Sequence, residues 1–110
     1  MTMHDILKSE YDLIVERKNN PTEGSYTCYL FDKGIDKILK KVGEECSETI
    51  IAAKNGKNEE TVTEIADLIF HVMVMMAEQG ITLEDVQAIL EERRQKQGNL
   101  KQMKVVDKNT

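Results

Sequence analysis

The chain has 110 residues, 15 of them basic and 20 acidic, for a net charge of −5. That length is one domain, and the acidic balance excludes a dedicated nucleic-acid binder, which needs a basic face. Hydrophobic residues at 40% and charged residues at 32% are the proportions of a globular chain rather than a disordered one.

The first predicted helix runs from Met3 to Lys18, with Ile6, Leu7, Leu13 and Ile14 at helical spacing. The stretch Asn19-Asn20-Pro21-Thr22-Glu23-Gly24 breaks it, and Ser25 or Thr27 caps the second segment. That segment is long and helical and spans Tyr26 to Asn55, with a kink or short break near Gly34 because glycine weakens a helix by roughly 1 kcal/mol relative to alanine. Beyond Gly34, Ile35, Ile38, Leu39, Val42, Cys46, Ile50 and Ile51 form one apolar stripe. Gly56 is a natural left-handed residue after the helix end. A third helix spans Glu59 to Gln79, and Gly80 stops it. Its centre, from Ile65 to Ala77, is apolar nearly all round, so it is buried on most sides. Thr82 caps a fourth helix with Asp85 at the capping-box position, and Val86, Ile89 and Leu90 make its apolar face. No alternating run reads as a strand.

The predicted fold is therefore all-α, an antiparallel bundle of four to five helices. Residues 1–94 form the domain, and 95–110 a polar tail or short helix. Three thin partners barely cover a helix that is apolar on all sides, so a second copy completes the bundle, and a homodimer is predicted. No apolar run reaches the roughly 18 residues of a membrane span, and residues 1–20 are too charged for a secretory signal. Cys28 and Cys46 lack paired spacing and read as reduced core residues. These features predict a cytoplasmic protein with no membrane or nucleic-acid partner.

The chemistry sits in two strings, Gly43-Glu44-Glu45-Cys46-Ser47-Glu48 and Glu64-Ile65-Ala66-Asp67. At about 100° per residue, Glu44, Glu45 and Glu48 share one sector, roughly opposite the Val42, Cys46 and Ile50 stripe. Taken alone, that string reads as a solvated helix face with Lys40 and Lys41 as ordinary surface partners. The second string is harder to dismiss, because Glu64 and Asp67 begin an otherwise buried segment and acids are rarely buried unpaired. A divalent cation is the simplest partner. Carboxylates from two adjacent antiparallel helices select hard ions, Mg²⁺ first and Mn²⁺ next, and Mg²⁺ is commonly shared between carboxylates and substrate phosphates. Lys41 and Lys54 flank the groove and can neutralise phosphate charge. A metal polarises a phosphoryl oxygen and acidifies bound water, and an unliganded glutamate can take the water's proton. Hydrolysis of a phosphate anhydride is the reaction class this implies. No P-loop, dinucleotide-binding glycine pattern or nucleophilic triad competes.

These residues resemble a known family. The spacing E-E-x-x-E, fifteen residues, then E-x-x-D is similar to the metal signature of the all-α nucleoside-triphosphate pyrophosphohydrolase superfamily. Ser25-Tyr26-Thr27, the run Lys41-Val42-Gly43-Glu44-Glu45 through Glu48 to Ala52-Ala53-Lys54, and Asp67-Leu68-Ile69 with His71 resemble the phosphoribosyl-ATP pyrophosphohydrolase family of histidine biosynthesis. The resemblance covers about residues 3–94. It implies cleavage of a nucleotide substrate, phosphoribosyl-ATP, between its α and β phosphates, with Mg²⁺ required and Mn²⁺ an alternative, by an all-α homodimer. It implies Glu45, Glu48, Glu64 and Asp67 as metal ligands, and Glu44 as a ligand or the water-orienting base, so that Glu44 and Glu45 are the catalytic candidates. Lys41 and Lys54 would meet substrate phosphates, with helix-surface pairing as their plain alternative. The tail Gln97-Gly98-Asn99-Leu100-Lys101-Gln102 departs from the Ser-Gly and Glu-Lys pattern common in relatives. With no cyclohydrolase domain and none of its zinc ligands, a single activity is predicted.

His71 reads as a core histidine, Met73, Met75 and Met76 as core or interface filler, and Tyr26 and Tyr29 as packing residues that can alternatively stack on a base. The competing functions are a house-cleaning pyrophosphohydrolase acting on free nucleotides, a di-iron carboxylate protein, which would need two Glu-x-x-His pairs from a chain with two histidines, and a non-catalytic helical interaction module.

Overall fold

The computed structural model describes residues 1–96, and within them helix is the only regular secondary structure. The helices are α1 (Met3–Asn19), α2 (Tyr26–Lys33), α3 (Ile35–Lys54), α4 (Asn58–Gln79) and α5 (Leu83–Gln95). The Thr2 side chain accepts from the Asp5 amide, and the Asp5 carboxylate accepts in return from the Thr2 amide, closing a capping box on α1. Thr82 and Asp85 do the same for α5. Ser25, not Thr27, caps α2 by accepting from the Cys28 amide. The long second segment is two helices. Gly34 stands between them with φ 91° and ψ −175°, a conformation open to glycine and not to side-chain-bearing residues. The turn after α3 works similarly. Gly56, at φ 69°, donates to Ala53 and is followed by a Lys57 amide bond to Ala52, the pattern that satisfies a helix's last carbonyls.

The core lies at one end of the molecule. Tyr11, Ile14, Leu30, Ile38, Met73, Val74, Met76 and Ala77 pack together there, drawing on α1, α2, the start of α3 and the C-terminal half of α4. The Tyr11 hydroxyl donates to the Ile81 carbonyl at 2.6 Å. The Lys18 ammonium donates to the Ala77 carbonyl at 3.1 Å, placing a cation where the helix dipole of α4 favours one. α3 and α4 share the most extensive pairing in the fold and run on beyond this core as a helical hairpin.

That extension explains where the apolar stripes go. Of the α3 stripe only Ile38 is buried, while Leu39, Ile50 and Ile51 are exposed. The residues of α3 that are buried are Ile38, Glu45 and Ala52, seven apart, the repeat of a two-helix seam. α4 is buried from His71 to Ala77, but Val62 and Ile65 are exposed, so its N-terminal half is not enclosed as its composition predicts. α5 buries none of its residues, and its predicted apolar face of Val86, Ile89 and Leu90 is open. Cys28 and Cys46 are free thiols, both half-buried rather than core. The predicted helix ends differ from these by a residue, and the tail 97–110 lies outside the described residues.

Candidate active site

Glu45, Glu48 and Glu64 converge midway along the α3–α4 hairpin. Each offers a carboxylate oxygen, and those oxygens lie within 4.8 Å of one another. Glu45 and Glu48 are neighbours on one helix face by their three-residue spacing, and Glu64 meets them from α4. Glu45 is only 6% exposed, Glu64 is half-buried and Glu48 is exposed. The cluster is thus closed at Glu45 and open at Glu48, which leaves a way in for a ligand.

Packing three carboxylates together perturbs them. Glu45 is held above the usual carboxylate range by burial first and by Glu48 second. Glu64 is pushed up to about 7, chiefly through its contact with Glu48, with burial and Glu45 adding to it. The one counter-charge in ion-pair contact among the described residues is Lys41, whose ammonium lies 3.8 Å from Glu45 Oε1. Glu45 Oε2 and Glu64 Oε2 are buried with no hydrogen-bond partner. Leaving a buried acceptor unsatisfied is costly, and two such oxygens facing one space are what a bound cation would satisfy. A donor set made only of carboxylate oxygens fits a hard divalent ion.

The other sequence-predicted residues sit around this cluster rather than in it. Asp67 follows Glu64 by one turn and is exposed. It stands outside the three-residue group, yet its charge reaches Glu45 and helps raise it. Glu44 is exposed and belongs to no such group among the described residues. Lys54 closes α3 on an exposed turn, six residues and roughly 9 Å along the axis from Glu48, and the fold does not bring it to the carboxylates. The acids of α3 stand opposite the apolar stripe as helix geometry predicts, but it is the acid side that meets α4. Glu45 turns inward to α4, and Ile50 is 67% exposed.

His71 is buried, as expected, and both its ring nitrogens are engaged. Nδ1 lies 2.7 Å from the Asp67 carbonyl, which can only accept, so Nδ1 carries the proton. In the neutral ring Nε2 is then the acceptor, and the Tyr26 hydroxyl, 2.8 Å away, donates to it. Sequence reasoning reads His71 as a core histidine and Tyr26 as packing with base stacking as the alternative. The signal available is the four-residue step from Asp67 to His71, which stacks them on one face of α4.

Comparison with known proteins bears on this arrangement. The profile of the family described as phosphoribosyl-ATP pyrophosphohydrolase matches residues 7–94. The chain belongs to the phosphoribosyl-ATP pyrophosphohydrolase family. It is 51% identical over 109 residues to the phosphoribosyl-ATP pyrophosphatase of Clostridium botulinum, covering 98% of this chain and 99% of the relative. It is 52% identical over 101 residues to the phosphoribosyl-ATP pyrophosphatase of Streptococcus thermophilus, covering 92% and 97%. A histidine biosynthesis bifunctional protein HisIE from Caldanaerobacter subterraneus is 56% identical over 92 residues, which are 84% of this chain but 45% of that protein. The span matched to the phosphoribosyl-ATP pyrophosphohydrolase family contains every candidate site residue from Lys41 to Asp67, and it ends one residue before α5 does. No single helix among the described residues is long and apolar enough to cross a membrane.

Proposed function

We propose that this chain hydrolyses phosphoribosyl-ATP between its α and β phosphates, releasing phosphoribosyl-AMP and pyrophosphate, as a Mg²⁺-dependent cytoplasmic homodimer of histidine biosynthesis. The observation that carries the reading is the convergence of Glu45, Glu48 and Glu64 with two of their oxygens buried and unpartnered, in a chain about 50% identical to phosphoribosyl-ATP pyrophosphatases along nearly its whole length.

Glu45, Glu48 and Glu64 hold the ion, with Asp67 completing the set from the next turn of α4, and Mn²⁺ satisfies the same donors. An Mg²⁺ ion held there would supply Lewis-acid polarisation of a phosphoryl oxygen and acidify a water. Glu44, which lies outside that set of ligands, orients the attacking water and takes its proton. Lys41, already drawn to the mouth of the cluster by Glu45, turns its ammonium to the polyphosphate, and Lys54 guards the outer end of the groove. The homodimer is supported by apolar residues left uncovered on three helices, with Leu39, Ile50 and Ile51 on α3, Val62 and Ile65 on α4, and Val86, Ile89 and Leu90 on α5. Open apolar side chains on three helices are the material from which a subunit interface is built.

The test is release of pyrophosphate from phosphoribosyl-ATP by purified protein, with and without Mg²⁺, beside a panel of nucleoside triphosphates. Turnover of phosphoribosyl-ATP that stops on chelation is the expected result. Turnover of the panel with none of phosphoribosyl-ATP would reject the substrate and favour a house-cleaning role.

A further inference from the structure

The aromatic residues beside the carboxylate cluster are arranged in a way that packing alone does not require. Tyr26 and Tyr29, one turn apart at the start of α2, are 46% and 42% exposed. Their rings are stacked, with centroids 6.1 Å apart and planes 23° from parallel. Phe70 continues the series on the other helix, 6.2 Å from Tyr26 and 28° from parallel. Tyr26 itself is pinned. Its hydroxyl is tied to His71, and His71 is fixed in turn by the Asp67 carbonyl. Its ring meets the His71 ring edge-on at 5.7 Å. A partly exposed aromatic ring whose polar end is locked to the protein loses little rotamer freedom when a flat ligand lands on it.

The location matters as much as the orientation. His71 lies seven residues after Glu64 on the same face of α4, roughly 10 Å along the axis. A nucleoside monophosphate bridges such a span, with its phosphate at the acids and its base at the tyrosine. Lys41, Glu44 and Glu45 are all close enough to act on the Tyr26 hydroxyl electrostatically, so the ring stands beside the cluster.

We infer that Tyr26, positioned by His71 and extended by Tyr29, is the base-stacking residue of this site, receiving the purine of the nucleotide whose phosphates lie at Glu45, Glu48 and Glu64. Tyr26 is then a substrate-contacting specificity residue and His71 a positioning residue. The inference rests on the nucleotide reading of the site given above. Stacking a base on an aromatic side chain contributes an amount that corresponds to about 5-fold to about 150-fold in affinity.

The experiment compares two small ligands by titration calorimetry in Mg²⁺, adenosine 5′-monophosphate and ribose 5-phosphate, which differ by the base. Tyr26→Leu weakens the nucleotide by that factor and leaves ribose 5-phosphate unchanged. Tyr26→Phe, which keeps the ring and frees it from His71, loses less. Tyr29→Ala, one turn further along α2, lowers nucleotide affinity by a smaller factor and covers the case in which Tyr26→Leu does not fold. His71→Leu repeats the Tyr26→Phe loss, and His71→Gln, whose amide oxygen can accept from the Tyr26 hydroxyl, restores affinity. With phosphoribosyl-ATP the same variants raise KM and spare kcat. The inference is overturned if wild-type protein binds the nucleotide no better than ribose 5-phosphate, or if the tyrosine variants weaken both ligands equally or neither. Base-dependent binding that follows Tyr26, in a protein that does not turn over phosphoribosyl-ATP, would instead overturn the choice of substrate and leave the stacking assignment standing.

Discussion

Replacing Glu64 with glutamine separates the cost of the carboxylate cluster from its use. The amide has the same shape, removes one negative charge and offers N–H donors to the unpartnered Glu45 Oε2. In metal-free protein Glu64 is pushed up to about 7 from an ordinary value of 4.5, chiefly by Glu48. The folded state therefore keeps a proton between those limits that the unfolded chain has released. A raised acid of this kind supports the fold fully below pH 4.5 and loses that support as pH rises through about 7. Wild-type protein in chelator thus melts lower at pH 8 than at pH 5 on account of this group. Glu64→Gln flattens that slope and melts at least as high as wild type at pH 8. Mg²⁺ reverses the order. An ion at 100 times its dissociation constant stabilises the protein that binds it by about 2.7 kcal/mol, roughly 10–20 °C in Tm for a domain of this size, and the variant gains little of that. Because altering even an outer-shell partner of a metal costs about 10–100-fold, losing a direct ligand costs turnover at least the upper end of that range. Differential scanning calorimetry at the two pH values, with Mg²⁺ or chelator, and pyrophosphate release give all four readings. Full turnover in Glu64→Gln, or an unchanged pH slope, refutes the reasoning.

Other perturbations probe the rest of the fold and site. Lys41→Met removes the cation 3.8 Å from Glu45. If that ammonium meets a phosphate, KM rises by about 10-fold to about 150-fold, as for a lost charged hydrogen bond, and steady-state kinetics reads it. Leu30→Ala empties a fully buried position at the junction of α2 with the core and costs about 2–5 kcal/mol, measured by urea denaturation, without changing which metal ions support activity. Ile51→Glu, on the open side of α3, leaves a monomer of unchanged helicity if that side is the subunit interface, which sedimentation equilibrium and circular dichroism test together. Thr82→Ala, which removes the α5 cap, lowers stability by about 0.5–2 kcal/mol and leaves pyrophosphate release intact.

Much of the fold is legible in the sequence because local signals and tertiary structure agree. Pro21 and Gly24 end the first segment, Ser25 and Thr82 cap where their oxygens can reach amides three residues on, and Gly34 divides two helices where no side chain tolerates the backbone. The error lies in reading apolar periodicity as burial. On α3 the stripe through Leu39, Ile50 and Ile51 is real, but it marks a surface this chain leaves open. Periodicity says that a face is apolar; it does not say which molecule covers it. The same ambiguity affects α5, whose face of Val86, Ile89 and Leu90 is exposed, and the N-terminal half of α4.

The acids show the converse. A sequence reader expects glutamates on the outside of an amphipathic helix, and Glu44 obeys. Glu45, next to it in the chain, occupies the buried seam between Ile38 and Ala52, where the repeat of seven calls for an apolar residue. Burying a carboxylate there is unfavourable unless something compensates, and Lys41 reaches only one of its oxygens. Glu64 repeats the pattern on α4, seven residues before His71 on the same face. A hairpin selected for stability alone would place leucine or alanine at both positions. Local rules broken together, on facing helices and at the same depth, are the mark of a site maintained for chemistry at the expense of the empty fold. The alternation of acid and apolar residues along that seam, rather than the number of glutamates, is what separates it from an ordinary solvated helix face.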